Sequence, residues 1–212
     1  MGELLPETIK TDRLRFDAIR PESVDVFDLY EICSSDPGID EITEYMTWDP
    51  HETPKEAQEF IERVSEQYED ADGVSYLIRP RGDAIDATAD GAGDIAGTGG
   101  FGIDWEKRTM TMGVWFRKRF WGRGYSGERA AAFLELAFDR LDLEVVATAV
   151  HVDNDQSIRA IEKYVEAHGG RRDGCIRNHI VIDGDPADCY RYTISSEEWA
   201  DNRSDLTVQF RD

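Results

Sequence analysis

Cysteine and lysine are scarce in this chain, and several longer patterns are missing. Cys33, Cys175 and Cys189 are odd in number and irregularly spaced over 212 residues. That excludes a disulfide framework and a cysteine-based zinc site, and fits reduced thiols in a cytoplasm. His51, His151, His168 and His179 stand at no metal-ligand spacing from one another or from the cysteines, so no metal is expected. No apolar run approaches the roughly 18 residues of a membrane-spanning helix. Met1 to Glu7 lacks the basic and apolar stretches of a secretory signal, and a cytoplasmic location is expected. No Gly-x4-Gly-Lys-Ser/Thr occurs, so a P-loop is excluded. No repeat and no linker divides the chain. The reading is one domain over 1–212, with a core over about 10–199 and a short tail over 200–212.

Positive charge is in short supply as well. Against 45 Asp and Glu stand 24 Lys and Arg, a formal net charge of −21. Lys10, Lys55, Lys107, Lys118 and Lys163 are the only lysines. Such a surface excludes non-specific nucleic-acid binding. It suits a halophile, because at about 1 M salt the Debye length falls to roughly 3 Å and self-repulsion is screened. An acidic protein of ordinary cytoplasm and one with basic partners are the rival readings.

The pattern that is present alternates strands and helices. Residues 11–20 carry Leu14, Phe16 and Ala18 on one face, a half-buried strand. Pro21 opens a helix with apolar Val24, Phe27 and Ile32 and polar residues between. A loop over 36–52 holds Tyr45, Trp48 and His51. Thr53, Pro54 and Glu56 then form a capping box for a second helix. Strands follow over 74–79, 94–103 and 109–117, with an acidic loop over 81–93. A helix over 124–141, a strand over 145–150, a helix from Asp155 to His168 and strands over 175–182 and 188–194 complete the order β-α-α-β-β-β-α-β-α-β-β. This predicts an α/β (α+β) fold: a mixed, mostly antiparallel sheet of about seven strands flanked by helices, with 109–117 and 145–150 parallel across a helical crossover.

The chemistry concentrates at residues 114–129. A strand ends, a glycine-rich turn follows, and a helix begins, which aims unpaired N–H groups and a positive helix end at one point. That is a site for a pyrophosphate. From Lys107 to Arg129 stand seven cations and one acid, Glu128, a local reversal of the overall charge. Gly97-x-Gly99-x-x-Gly102 matches a dinucleotide fingerprint by letters, but no helix pattern follows it, so it reads as a strand segment.

Arg119-x-x-Gly122-x-Gly124 resembles the Arg/Gln-x-x-Gly-x-Gly/Ala motif of the GNAT superfamily of acetyltransferases. Phe120 to Tyr125 is similar to the ribosomal-protein N-acetyltransferase (Rim-type) branch. So are Thr11-Asp12-Arg13-Leu14, Trp48 with His51, Asn154-x-x-Ser157 with Glu162-Lys163, Arg172 to Asn178, Asp183-Gly184 and Glu198-Trp199. The resemblance covers about residues 10–199. The chain departs from it at Tyr164 to Gly170, where the branch has Leu-Gly-Phe, and at Ser126-Gly127, where Ala-Thr is common.

The resemblance implies acetyl-CoA as acyl donor and direct transfer to a primary amine in a ternary complex. Arg119, Gly122, Arg123, Gly124, Tyr125 and Ser126 would hold the pyrophosphate. The backbone of Trp115, Phe116 and Arg117 would hold the pantetheine arm, with a backbone N–H there as oxyanion donor. Asn154 would bind the pantetheine amide or cap its helix, and Ser157 would serve the leaving thiolate. Trp48 and His51 would border the acceptor. An α-amine, with a pKa of about 7.7–8.0, needs only a weak base, for which Asp104 and Glu106 are candidates. The acceptor is expected to be a ribosomal or other protein N-terminus. A small-molecule amine, a non-catalytic acetyl-CoA sensor and a plain interaction module are the alternatives. Monomer and homodimer are both compatible.

Overall fold

The computed structural model describes residues 4–81 and 94–212. One nine-stranded sheet runs through them, in the order β7-β8-β6-β5-β4-β3-β2-β1-β9. Its strands are β1 (Thr8–Lys10), β2 (Leu14–Ala18), β3 (Gly73–Pro80), β4 (Gly97–Asp104), β5 (Thr109–Phe116), β6 (Val145–His151), β7 (Arg171–Ile182), β8 (Asp185–Ser195) and β9 (Gln209–Arg211). All neighbours pair antiparallel except β5 and β6, the expected parallel pair. The helices are α1 (Val26–Ser35), α2 (Ile39–Thr43), α3 (Pro54–Glu69), α4 (Tyr125–Glu135), α5 (Asp155–Ala167) and α6 (Ser196–Asp201).

The two strands beyond the expected seven are three-residue pieces, β1 beside β2 and β9 at the edge of the sheet. Within the short 200–212 tail, Gln209–Arg211 pairs with β1 and extends the sheet. Three residues on an edge carry too little period-2 pattern to be recognised. The first helix begins at Val26 and not at Pro21. Asp25 caps it by accepting from the N–H groups of Phe27 and Asp28. That register turns Phe27 outward, 68% exposed. The 36–52 loop contains α2, and a π turn over Leu136–Arg140 closes the helix expected over 124–141. The Thr53 capping box is formed, with the Thr53 N–H donating to Glu56 at 3.0 Å. Of the expected acidic loop 81–93, all but Arg81 lies outside the described residues.

The sheet separates two apolar layers. Phe16, Tyr76, Phe101, Met110, Met112 and Phe133 belong to the cluster under α4 and α5, and Leu29, Ile61, Val64 and Leu77 to the cluster under α1 and α3. Burial at about 25 cal/mol per Å² makes these layers the main stabilising term. Cys33 and Cys189 are packed thiols, and burial, helped by Asp36, pushes Cys33 up to about 12. Cys33 is therefore no nucleophile near neutral pH.

Candidate active site

The parallel pair opens into a V. Thr109, Met110 and Thr111 pair with Val145, Val146 and Ala147. Beyond that point β5 follows β4 to Phe116 while β6 follows β8 to His151, and among the described residues no further β5–β6 pair forms. Two strand edges are left facing each other with unpaired backbone groups. Such groups need a partner, and an amide-bearing chain laid between the edges supplies one.

The glycine turn stands at the open end of the V. Gly122 and Gly124 have φ of 75° and 76°, the left-handed region that favours glycine. An added Cβ at Gly122 would meet nothing within 4 Å, so the backbone there is open to approach. Gly124 is the N-cap of α4 without a side-chain cap. The N–H groups of Ser126 and Gly127 in the first helical turn meet no acceptor among the described residues. Unpaired donors and the positive helix end converge where an anion would sit.

Buried Phe120 gathers the two arginines of the motif. The Arg119 guanidinium lies 4.8 Å from its ring centroid and the Arg123 guanidinium 5.6 Å. Arg123 also donates to the Arg119 carbonyl at 3.2 Å, and Arg119 pairs with Asp94 at 2.7 Å. The Trp121 indole N–H donates to the Phe116 carbonyl at 2.7 Å and ties the turn to the strand end.

The rest of the basic run is more committed than its charge suggests. Arg117 forms a largely buried pair with Asp36, and its N–H donates to the Ala96 carbonyl at 2.8 Å. Neither its side chain nor its N–H faces the V. Trp115, two residues earlier, turns its backbone to β4 as well, its carbonyl lying against the place a Cβ on Gly97 would take, so of the three pantetheine-binding residues expected on this strand only Phe116 remains. Lys118 is paired with Glu41. A cleft of about 470 Å³ beside α1 is lined by Arg117 and Arg119, but also by Asp28, Glu31, Asp36 and Asp94. That lining is no phosphate site.

Tyr125 packs on Phe116 at 6.2 Å, with the Arg13 guanidinium 5.3 Å from its ring centroid. On α5, Asn154 caps the helix, its Oδ1 accepting from the Ser157 N–H at 3.0 Å. Among the described residues the Asn154 amide protons and the Ser157 hydroxyl have no hydrogen-bond partner.

Trp48 and His51 meet β5 on the other face of the sheet. Trp48 stacks 5.5 Å from Trp115 and 5.8 Å from His51. Burial holds the His51 imidazole below its usual pKa, and its Nδ1 has no hydrogen-bond partner. His51 is thus neutral near pH 7 and able to take a proton. Asp104 and Glu106 are not brought to this place. Their turn lies at the opposite end of β5, and at about 3.3 Å per residue Thr109 is roughly 23 Å from Phe116. Asp104 is occupied by Lys107, whose hydrogen bond holds the carboxyl below its ordinary value. The sequence reading of Glu106 as a base is corrected accordingly.

Three features escaped the sequence. Glu128 is a buried lock: its carboxylate accepts from the Thr11 hydroxyl at 2.6 Å, the Arg13 N–H at 2.8 Å and Arg13 Nε at 2.7 Å. A lone acid within a basic run was the available signal. Arg129 is almost wholly buried on the same helix, and nothing in the sequence separates it from its solvated neighbours. Third, a groove of about 550 Å³ is lined by Glu44, Tyr45, His151, Asp153, Asp185 and Asp188 among others, with Tyr45 and His151 stacked at 4.9 Å. Its parts are more than a hundred residues apart in the chain.

Comparisons with known proteins agree with this geometry. Residues 13–164 match the family model described as acetyltransferase (GNAT) domain. The chain is 24% identical over 187 residues to the uncharacterized N-acetyltransferase YoaA of Bacillus subtilis, covering 88% of this chain and 95% of that protein. The acetyltransferase MccE, which confers self immunity to microcin C7 and was solved with acetyl-CoA and AMP, superposes with a TM-score of 0.73 at 17% identity, over 87% of this chain and 93% of that one. Mycobacterium smegmatis RimJ, solved with CoA-disulfide, superposes with a TM-score of 0.71 at 17% identity, over 93% and 91%.

Proposed function

The chain belongs to the GNAT acetyltransferase family, with acetyl-CoA as acyl donor, and from that premise we propose that it is a Rim-type enzyme, a single domain that acetylates the α-amino group of a protein N-terminus. The carrying observation is the V between β5 and β6, with the Gly122–Gly124 turn at its mouth and Trp48, His51 and Trp115 clustered on the opposite face. Donor and acceptor thereby reach one point from two sides of the sheet.

In this reading Ser126, Gly127, Arg119 and Arg123 hold the pyrophosphate, while Asn154 and the open edge of β5 at Phe116 hold the pantetheine arm. A β5 backbone N–H stabilises the oxyanion of the tetrahedral intermediate. His51, directly or through a water, takes the proton of the attacking amine. The amine nitrogen bonds to the acetyl carbon, the carbon–sulfur bond breaks, and Ser157 hydrogen-bonds the departing sulfur.

The acidic groove by Tyr45 and His151 suits a cationic acceptor, because carboxylates raise the local concentration of an approaching amine. That observation also favours a second reading, a small polyamine as acceptor. The excess of acid fits work in a salt-rich cytoplasm. A panel of N-terminal peptides and free polyamines, assayed by CoA release with saturating acetyl-CoA, tests the acceptor. Turnover on peptides alone supports the first reading. Turnover on polyamines alone replaces it with the second, and none on either removes both.

A further inference from the structure

One buried charge has no counter-charge. Arg129 is 1% exposed, and its Nε and Nη1 are shut off from solvent without an acceptor. Among the described residues no carboxylate pairs with it. The adjacent Glu128 is turned away to Thr11 and Arg13. Its guanidinium lies 5.4 Å from the ring centroid of Phe133 and 5.8 Å from that of Tyr164. Burial lowers its pKa, and the titratable group that opposes this is Tyr164, packed against it from α5.

The place of this charge is informative. Arg129 Cδ stands 3.6 Å from where a Cβ on Gly99 would be, and Val114 Cγ2 stands 3.3 Å from the same point. Gly99 and Val114 are register partners on β4 and β5. The Tyr164 hydroxyl faces Arg129 and Thr148 without closing a hydrogen bond of normal geometry to either. Thr148 is the first residue of β6 beyond the last β5–β6 pair. The guanidinium therefore lies under both walls of the V, close to where the strands part. It also sits in the second turn of α4, near that helix's positive end, so two positive sources add there.

A cation so placed is costly to bury, and an apolar side chain between the two rings would avoid the cost. We propose that Arg129 is a positioning residue for acyl transfer, an uncompensated charge beneath the V that stabilises the negative charge gathering on sulfur. It rests on the acetyl-CoA reading above. As the amine nitrogen bonds to the acetyl carbon, the carbon–sulfur bond breaks with its electron pair on sulfur, and the amine proton leaves on the His51 side. Arg129 gains and loses no proton. Its field acts through a medium of low dielectric, where a charge several ångströms away retains strength that water would remove. The Tyr164 hydroxyl, between Arg129 and Thr148, is the dipole the charge orients.

The test is a titration of the CoA thiol bound to the enzyme, followed by the ultraviolet absorbance of the thiolate, with binding checked separately by thermal shift. In the wild type the bound thiol is expected to titrate at least about one pH unit below free CoA. Arg129→Met is expected to abolish that shift while still binding CoA, and to melt no lower than the wild type because a buried charge is gone. Arg129→Lys is expected to keep part of the shift. A wild-type-bound thiol that titrates as in free CoA overturns the proposal, as does an unchanged shift in Arg129→Met. If Arg129→Met fails to fold, the wild type and Arg129→Lys decide. Absence of CoA binding by folded wild type would remove the donor reading itself, a result the thermal shift separates from a failed titration.

Discussion

Replacing Glu128 with Gln should loosen the donor site from beneath. The carboxylate, 5% exposed, accepts three hydrogen bonds that join α4 to the Thr11–Arg13 segment between β1 and β2. Hydrogen bonds to a charged group contribute about 1.5–3 kcal/mol each. Arg13, however, is 43% exposed and returns to water when released. An amide at the position still accepts one bond, but it turns its own donors toward Thr11 and Arg13. The net loss worked from these terms is about 2–4 kcal/mol for Glu128→Gln, with Glu128→Ala at the upper end. Urea unfolding with unchanged m-value measures it. Because Glu128 sits on the first turn of α4, the N–H groups of Ser126 and Gly127 move with it. The KM for acetyl-CoA should therefore rise more than kcat falls. A double-mutant cycle with Arg13→Ala should give a coupling above about 1 kcal/mol. A stability loss under about 0.5 kcal/mol for Glu128→Gln would refute the lock.

Further outcomes follow from the same geometry. Gly124→Glu should abolish CoA binding in calorimetry, because it places a carboxylate where the anion would sit. Gly124→Ala should cost only about 1–2 kcal/mol of stability for the left-handed φ, visible as a lower melting temperature. The His51 imidazole, held below its usual pKa of about 6.5 by burial, is neutral above that value and protonated only at lower pH. The kcat/KM should accordingly fall as pH drops through the depressed pKa, and His51→Gln should flatten that acidic limb. Trp48→Ala, which removes the stack on Trp115, should raise the acceptor KM several-fold and leave the KM for acetyl-CoA within a factor of about two. With a net charge of −21, the melting temperature should climb with KCl through the molar range; a flat response would contradict the halophilic reading.

Much of the fold was legible because its periodic segments are long. The strand–turn–helix over 109–135 and the parallel return at 145–151 follow from alternation, glycines and a 3.6 period. The short strands Thr8–Lys10 and Gln209–Arg211 were not legible, since three residues of pairing leave no pattern. The start of α1 was misjudged because Pro21 suits a first turn, yet Asp25 makes the better cap. In the site, local features came through: the Gly122–Gly124 turn, the Asn154 cap and the Trp48–His51 pair. Properties set by distant partners did not. Arg117 looks like a backbone contact for the pantetheine arm until its N–H pairs with Ala96 and Asp36, 81 residues away, takes its side chain. Glu106 looks like a base until the length of β5 separates it from the V. Arg129 looks like one more surface cation until α4, α5 and the sheet close over it.

The most direct test of the account is a thermal-shift titration in multi-molar KCl, with acetyl-CoA, CoA, NAD and ATP run in parallel on the wild type and Gly124→Glu. Selective stabilisation of the wild type by the two CoA species, lost in Gly124→Glu, is the predicted result. No shift with either CoA species from a folded wild-type sample, across a saturating range, would contradict the donor site described for the β5–β6 opening.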